Sequence, residues 1–423
     1  MNVLRAGLAV AVSGVCLQAS AATDYTWQGG GGLFSDTLMW SPNGVPAAGD
    51  TAKFATAVPG TVTWSGPVSN NLMIAGALNG NTLVLDLAGN VYTLTNRFYF
   101  EGDKAGSFLV IGNGYLTAPT NTCDVKINAG VAPAQLAFAS GAVATLDRLS
   151  TYRSSVEVQR GAVLTCNNEV KIGDGQAGSE SALTVSGGTL ALNNHVWMNG
   201  GNNSTSTLTI TDGYVLASKY FSIGNGGSGT AWGLLNLSGG ALETAGNVWL
   251  GNSGSTRCVA NVTGGVWTNK VDAEVAHGGG ATAWLNLSGG EIVMPVSGRN
   301  FIVANSGNGH MTTGTVSVTG GQVTATNGIS FLLASASNAL ARFYVGGAGA
   351  VLARDFRVGN YRDGRGECVV TGGLLRAVND FSVGYAAGSS GALLVDGGEV
   401  YANNMKVGDV TGGLGNFAMS NGQ

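Results

Sequence analysis

A repeat with a period of about 25 residues constrains the fold of this chain more than any other feature. The repeat can be aligned on the second glycine of a small-residue pair, and the intervals between these glycines are 25, 27, 25, 25, 31, 26, 26 and 25 residues. The aligned positions are Gly188, Gly213, Gly240, Gly265, Gly290, Gly321, Gly347, Gly373 and Gly398, with Gly161 before them and Gly422 after them. A fixed period in this range indicates a solenoid, in which each unit stacks on the next.

Apolar residues recur at fixed positions relative to that glycine. They lie five and three residues before it, two after it, and eight and ten after it, as in Leu235, Leu237, Leu242, Val248 and Leu250. Each block alternates with period two, which is typical of a strand with one buried face. Three short strands per repeat predict an all-β fold, a right-handed parallel β-helix of the pectin-lyase-like class. A propeller blade needs four strands in a longer unit, and a sandwich would not keep this register.

Glycine and asparagine mark the predicted turns. The glycine pair allows a positive φ angle without a Cβ clash. Asparagine follows the aligned glycine by six residues in several repeats, and stacked amides can hydrogen-bond to one another along such a column. We therefore predict a structural turn ladder, with a ligand groove as the alternative, at Asn167, Asn194, Asn327, Asn379 and Asn404.

The first 22 residues have the pattern of a cleaved secretory signal peptide. Arg5 precedes an apolar run from Ala6 to Leu17, and small residues lead up to Ala22. The run is shorter than the roughly 18 apolar residues that a membrane span needs, and no later stretch reaches that length. The sequence predicts a secreted or cell-surface protein whose mature segment does not insert into the membrane.

The remainder divides into three parts. Residues 23–60 contain Trp27, Trp40 and a local concentration of proline, and differ from the repeats. We predict that they form an N-terminal cap and first coil, because a bare strand edge invites pairing with other chains. Residues 61–160 are predicted to be less regular coils, and residues 161–423 regular repeats that stop in mid-coil, as in a fragment of a longer protein.

The cap and the repeats together resemble known exported proteins. Residues 27–54 follow the pattern W…G…FSD…W…VP..GDTA.F, and the later repeats read strand-SGG-strand-NN-strand-GxG. This resembles bacterial secreted proteins of the autotransporter-associated β-strand repeat type, autotransporter passengers and PEP-CTERM-type exported proteins. The resemblance covers most of the mature chain and implies a β-helix and export, but no particular reaction.

The composition argues against several classes of protein. Charged residues make up 10% of the chain and the net charge is −4, so a nucleic-acid partner is not expected. Cys123, Cys166, Cys258 and Cys368 are spread over many coils, beyond the ~7 Å Cα limit for most disulfides, and buried free thiols are the favoured interpretation. Cysteine and histidine show no zinc-ligand spacing, and no metal or cofactor is predicted.

A β-helix can also carry a polysaccharide lyase site, which needs acidic residues clustered across adjacent coils and a basic residue. The densest charge run, residues 354–367, mixes both signs within one coil and its loop, which favours local ion pairs. Asp272 and Glu274 share a face, and Asp380 lies four coils further on, about 19 Å away, which is too far for one metal ion. We therefore assign no catalytic residue and expect no enzyme, although a lyase or hydrolase remains an alternative.

Outward tryptophans offer a possible binding surface. Trp197 and Trp249 both follow the aligned glycine by nine residues, which predicts that they face outward about 10 Å apart. Trp232 and Trp284 occur in the near-duplicate phrases TAWGLLNLSGG and TAWLNLSGG. These four are candidate contacts for an extracellular polysaccharide, or else they cover strand edges. The leading hypothesis is a structural or adhesive β-helical stalk that contacts polysaccharide or other cell-surface components, and the alternative is a glycan-binding module.

Overall fold

The computed structural model describes residues 22–55, 58–76, 78–101, 106–118, 134–173, 178–198, 203–226, 231–305 and 310–423. The described strands wind into about 14 stacked coils of a parallel β-helix, with about 25 residues per turn. This confirms the predicted fold class. Residues 1–21, which include nearly all of the predicted signal peptide, lie outside the described residues, as does Cys123. Among the described residues, we find no helix that is long and apolar enough to cross a membrane.

The strands stack on three faces, which we call sheets 1, 2 and 3 in the order in which each regular repeat visits them. Sheet 1 contains Gly32–Leu33, Gly60–Thr63, Thr82–Asp86, Phe108–Gly112, Ala134–Phe138, Ser154–Gln159, Trp232–Leu237, Arg257–Val262, Thr282–Leu287, Thr312–Val318, Ala339–Val345, Arg365–Val370, Ser390–Val395 and Leu414–Met419. Sheet 2 contains Gly114–Ala118, Ala142–Leu146, Val163–Cys166, Ala241–Thr244, Val266–Asn269 and Glu291–Val293. Sheet 3 contains Asp24–Trp27, Thr51–Ala55, Leu149–Thr151, Val170–Ile172, Val196–Met198, Phe221–Ile223, Val248–Leu250, Ala273–Val275 and Asn300–Val303.

Longer strands turn a corner of the prism and join two sheets. Glu180–Leu192 and Thr205–Ala217 run from sheet 1 into sheet 2. The strands that run from sheet 2 into sheet 3 are Val68–Gly76, Val91–Glu101, Gln322–Leu333, Ala350–Val358, Leu374–Val383 and Glu399–Val407. Register shifts mark several of these corners, where one strand contains more residues than its neighbour.

The predicted inward positions form one continuous core. Leu235, Leu237, Leu242, Val248 and Leu250 are each at most 1% exposed, and the equivalent residues of neighbouring coils lie directly above and below them. A single coil could not bury this row, because the space above and below it is filled by the apolar side chains of the adjacent coils. Each buried side chain of this size contributes about 1.5–3 kcal/mol before the entropy of ordering is counted.

The glycine pair at the corner between sheets 1 and 2 is required by close packing as well as by backbone conformation. A Cβ atom on Gly264 would lie 2.4 Å from the carbonyl oxygen of Ser238 in the previous coil. Gly265 has a φ angle of +72°, and a Cβ atom there would lie 2.6 Å from the carbonyl oxygen of Gly240. The repeat therefore preserves this pair because neighbouring backbones touch at the corner.

Phenylalanines stack inside sheet 3 in the later coils. Phe301, Phe331, Phe356 and Phe381 occupy one inward column, and their successive ring centroids are 4.6, 5.6 and 5.0 Å apart. The planes of neighbouring rings are within 16° of parallel. We call this column the phenylalanine stack. It shows that side chains repeat at the coil spacing inside the prism just as the backbones do.

The N-terminal segment departs from the coil pattern. After the first strand, a 3₁₀ helix at Thr37–Met39 leads into Trp40–Ser41, which pairs antiparallel with Asp24–Trp27. Trp27, Phe34 and Trp40 are each at most 1% exposed, and they contact Phe54 and Trp64 in the coils beyond. The chain thus turns back and places large aromatic side chains over this end of the core.

Candidate functional site

Trp197 and Trp249 lie in one outward column of sheet 3. Trp197 pairs with Ser222 in the next coil, and Ser222 pairs with Trp249 in the coil after that. Both tryptophans are half-buried, and the residues on either side of them in each strand point into the core. The two side chains therefore lie two coils apart on the same face.

Rings from the turns beside the sheet 3 strands extend this column: His195 and Tyr220 lie between the two tryptophans, and His277 lies beyond Trp249. Tyr220 stacks on Trp249, with centroids 4.7 Å apart, and on His195 at 5.0 Å. His195 also stacks on Trp197 at 5.6 Å, and His277 stacks on Trp249 at 4.8 Å. We call these five residues the aromatic ladder. All four ring pairs are within 25° of parallel, so the rings follow one another along the helix axis.

The aromatic ladder changes the interpretation of Trp249 as a sugar platform. A sugar stacks its C–H groups on the face of an aromatic ring, so that face must be free. Tyr220 and His277 each stack on the Trp249 ring in near-parallel planes, as successive rungs of the ladder. Trp249 therefore presents mainly its edge to solvent, and the ladder is better suited to stiffening this side of the prism than to binding a sugar ring.

A buried carboxylate holds one end of the aromatic ladder in place. Glu274 follows Trp249 in the outward column and is 7% exposed. Its carboxylate accepts a 3.3 Å hydrogen bond from Trp249 Nε1, lies 2.7 Å from His277 Nδ1, and accepts a hydrogen bond from the Asn305 side chain. These partners satisfy a group that would otherwise be costly to bury. Glu274 thus orients both rings, which is a positioning role.

Trp232 and Trp284 lie on a different face, sheet 1. Trp232 pairs with Arg257, whose guanidinium lies 5.4 Å from the centre of the indole ring. Trp284 pairs with Val259, which in turn pairs with Leu234. The two tryptophans are therefore offset by one outward column and by two coils. The four predicted tryptophans form two separate surfaces.

The predicted turn asparagines do not form a single column among the described residues. Asn193 donates to Asn167 at 3.0 Å, and Asn194 donates to Asn168 at 3.1 Å, so Asn167 and Asn194 belong to neighbouring columns. The reason is the register at the corner, where Val163 pairs with Thr189 and Gly161 therefore corresponds to Gly187. The predicted alignment of Gly161 with Gly188 was off by one residue.

The later predicted asparagines have other partners. Asn404 donates to the carboxylate of Asp380 at 3.0 Å, because a register shift brings Asp380, and not Asn379, opposite Asn404. The Asn379 side chain is exposed. Asn327 donates to the carbonyl oxygen of Pro295 at 3.0 Å. These residues support turns individually, and the predicted stacking does not extend to them.

An asparagine ladder does form at a position that the sequence reasoning missed. Asn286 donates to Asn261 at 3.0 Å, and Asn261 donates to Asn236 at 3.0 Å, in an outward column of sheet 1. We call these three residues the amide row. The sequence feature that could have predicted this row is an asparagine four residues before the aligned glycine in three successive repeats.

The charge run at residues 354–367 is distributed over two sheets and the turn between them. Arg354 lies 3.6 Å from Asp355, and Arg362 lies 3.7 Å from Asp363, as local ion pairs. Arg357 stacks on the Tyr385 ring at 4.3 Å. Arg362 and Asp363 are both exposed, and an exposed pair of this kind contributes about 0–1 kcal/mol. Asp355 is 6% exposed, and it also accepts hydrogen bonds from Ser330 and from the backbone N–H of Asp380.

Asp272 and Asp380 lie four coils apart on sheet 3, and each has its own partners. Asp272 accepts a 2.7 Å hydrogen bond from the backbone N–H of Asn300, and Asp380 pairs with Lys406 at 3.0 Å. The Lys406 ammonium holds the pKa of the Asp380 carboxyl below its usual range, with help from the Asn404 amide. Within the described residues, no three histidine, cysteine or acidic side chains come together as metal ligands.

Three cysteines lie in the core. Cys166, Cys258 and Cys368 are buried and form no disulfide with one another, as predicted for thiols on strand columns. The Cys258 thiol donates to the carbonyl oxygen of Ile223 at 3.0 Å. Burial raises the pKa of Cys258 to about 12 and also raises that of Cys368. These thiols are therefore core residues and poor nucleophiles.

No protein-family model matches the sequence, and neither a curated protein nor a solved structure matches it. The resemblance to exported bacterial repeat proteins therefore stays a prediction, and the surfaces of this chain must be interpreted from their own geometry.

An open groove of about 830 Å³ lies beside sheet 1 in the later coils. Its floor includes Leu340, Arg365 and Ser390 from successive strands, and Asp363 lies on the wall. The groove carries both signs of charge, and its only lining residues with long apolar side chains are Met311, Leu340 and Leu414. This mixed lining does not point to one class of ligand.

Proposed function

We propose that this chain is a rigid structural rod of an exported protein, with an adhesive role at the cell surface. The observation that carries the proposal is the continuity of the stacked core. Backbone pairing joins each coil to the next from Asp24 to Met419 along the described chain, and the inward apolar side chains form one continuous core cluster. About 14 coils at a spacing of about 4.8 Å give a prism roughly 65 Å long.

A rod of this kind supports spacing and display because its length depends on the number of coils and little else. Adjacent coils interact only with their neighbours, so a coil can be added or removed without rearranging the others. The low content of charged residues, 10%, leaves broad neutral faces on the outside. These properties suit a scaffold that holds a contact surface away from its point of attachment.

Deletion of one whole repeat tests the structural part of the proposal. Removing residues 241–265 takes out one 25-residue period between equivalent glycines. We expect a folded protein whose maximum dimension by small-angle X-ray scattering falls by one coil spacing, about 4.8 Å. A deletion of 12 residues within the same repeat is the control, and should unfold the neighbouring coils because it breaks the register. Equal tolerance of both deletions would contradict the stacked-rod proposal.

Export is tested separately by the fate of the N-terminus. When the full chain is produced in a bacterial host, we expect cleavage after Ala22 and a mature protein that begins at Thr23. The matched control lacks residues 2–22 and should stay inside the cell. Recovery of the full chain inside the cell with its first 22 residues intact would overturn the export proposal.

A further inference from the structure

We propose that the outward face of sheet 1 between residues 205 and 318 binds a neutral polysaccharide. The polymer would lie flat on this face, with its chain parallel to the helix axis. This inference rests on the proposed adhesive role and names the class of partner. The face is built by five neighbouring strand segments, which are residues 205–210, Trp232–Leu237, Arg257–Val262, Thr282–Leu287 and Thr312–Val318. We call it the tryptophan face.

The middle of the tryptophan face is apolar. Leu234, Val259 and Trp284 follow one another in one outward column, and Trp232 lies in the adjacent column. Trp232 is 39% exposed, and the other three are half-buried in the surface. No ring stacks on either tryptophan among the described residues, in contrast to Trp249. Exposed aromatic side chains with aliphatic neighbours can contact the C–H faces of sugar rings.

The amide row runs beside this apolar column. Asn236, Asn261 and Asn286 lie two residues further along the same strands as Leu234, Val259 and Trp284. Each amide has two N–H donors and two acceptor lone pairs. Asn261, in the middle of the row, uses one donor and one acceptor within the row, which leaves one of each for a ligand. Hydroxyl groups both donate and accept, so a sugar matches this arrangement.

The charge of the tryptophan face favours a neutral ligand. Arg257 is the only charged residue in the five strand segments, and its guanidinium already lies over the Trp232 ring. A polyanion could pair only with Arg257, which already contacts the Trp232 ring, whereas a neutral polymer needs no positive charge on the protein. Binding through ring contacts and amides should also be insensitive to salt, because screening acts on pairs of charges.

The geometry favours a polysaccharide over an extended peptide. A peptide commonly binds a β-protein by adding a strand to a free sheet edge. The four strands of the face from residues 205 to 287 pair with the coil on either side, so their backbone groups are not free for this. The apolar column and the amide row both repeat at the coil spacing of about 4.8 Å, which is close to the length of one sugar residue. A polymer of β-linked sugars along the axis would meet a similar surface at each residue.

Sedimentation with insoluble polysaccharides tests this inference on the purified full chain. The probes are cellulose and chitin, with insoluble polygalacturonate as the acidic comparison. We expect binding to at least one neutral polymer, unchanged between low and high salt. Trp232→Ala combined with Trp284→Ala should weaken that binding at least tenfold, because buried aromatic contacts dominate such interfaces. Trp197→Ala, on sheet 3, is the matched control and should bind like the unaltered protein.

Circular dichroism of each variant shows whether the fold is retained. If the alanine variants fail to fold, Trp284→Phe replaces them in the binding test, because it keeps a smaller aromatic ring at this position. Absence of binding to both neutral polymers would overturn the inference. So would equal losses for the sheet 1 and sheet 3 variants, or salt-sensitive binding to polygalacturonate alone. Each of these outcomes leaves the repeat-deletion and export tests unaffected, so the rod proposal and this inference can fail separately.

Discussion

Substitution of Phe331 by alanine is expected to destabilise the later coils strongly. Phe331 is fully buried, and its ring centroid lies 4.6 Å from that of Phe301, 5.6 Å from Phe356 and 5.8 Å from Phe343. Removing a buried phenylalanine ring costs about 3–5 kcal/mol when the cavity does not collapse. Each aromatic pair adds about 0.5–1.5 kcal/mol, so we expect a loss in the upper half of that range.

Hydrogen exchange measured by mass spectrometry is the assay that locates this loss. Since each coil contacts only its neighbours, protection should fall in the coils around residues 300–383 and stay unchanged in the coils before residue 250. The change in the free energy of local opening for the amides of this segment gives the size of the destabilisation caused by Phe331→Ala.

Leu332→Ala is the matched control for this substitution, because Leu332 is the next residue and points outward, half-buried, from the same strand. We expect it to cost about 1 kcal/mol or less, from partial loss of apolar burial. Phe331→Leu keeps most of the apolar volume and should cost about 1.5 kcal/mol. If Leu332→Ala destabilised the segment as much as Phe331→Ala, the inward and outward assignment of this column would be wrong.

Three further substitutions test the corner, the surface and the response to pH. Gly264→Ala should cost about 1–3 kcal/mol in urea unfolding, since its Cβ atom would lie 2.4 Å from a backbone carbonyl oxygen. Asn261→Ala removes two amide hydrogen bonds of the amide row and should cost about 1–2 kcal/mol in the same assay. The Lys270 ammonium and the Tyr214 hydroxyl hold the pKa of Glu243 below its usual range. That contribution to stability is complete above the usual glutamate pKa and is lost as the pH falls through the lowered pKa, so Glu243→Gln should flatten the acid limb of stability against pH.

Each of these substitutions has a control within the chain. Gly66→Ala should be nearly neutral, because a Cβ atom there meets nothing within 4 Å. Asn286→Ala removes one bond within the amide row, and should cost about half as much as Asn261→Ala. Lys270→Met should return the pKa of Glu243 towards its usual range, measured by NMR titration. A Glu243 pKa that does not respond to this change would refute the assigned cause.

The inward columns could be predicted from the sequence because each residue can be assigned to the core from its own apolar character and its position in the repeat. Leu237 or Val248 is apolar, recurs at a fixed distance from a glycine, and alternates with polar neighbours. No knowledge of the neighbouring coil is needed to assign such a residue to the core. The pattern therefore predicted the solenoid, the period and most of the buried side chains.

Contacts between coils were harder to predict because they depend on register to within one residue. Gly161 corresponds to Gly187, and this shift moved the asparagine pairs at the corner by one position. The aromatic ladder was missed for a related reason, since His195 and Tyr220 lie in turns before their strands. Both lie two residues before an outward position, and that spacing could have indicated that their rings join the column of Trp197.

The spacing of aromatic residues along the chain determines which of their rings stack on one another. His195, Tyr220 and Trp249 lie in consecutive coils. Their rings stack on one another, so the ring faces between them are covered by other residues of the protein. Trp232 and Trp284 are separated by two coils and one column, so neither can stack on the other. The same coil spacing thus stacks the rings of sheet 3 on one another and leaves Trp232 and Trp284 on sheet 1 without an aromatic neighbour, which is why we place the proposed sugar contacts there.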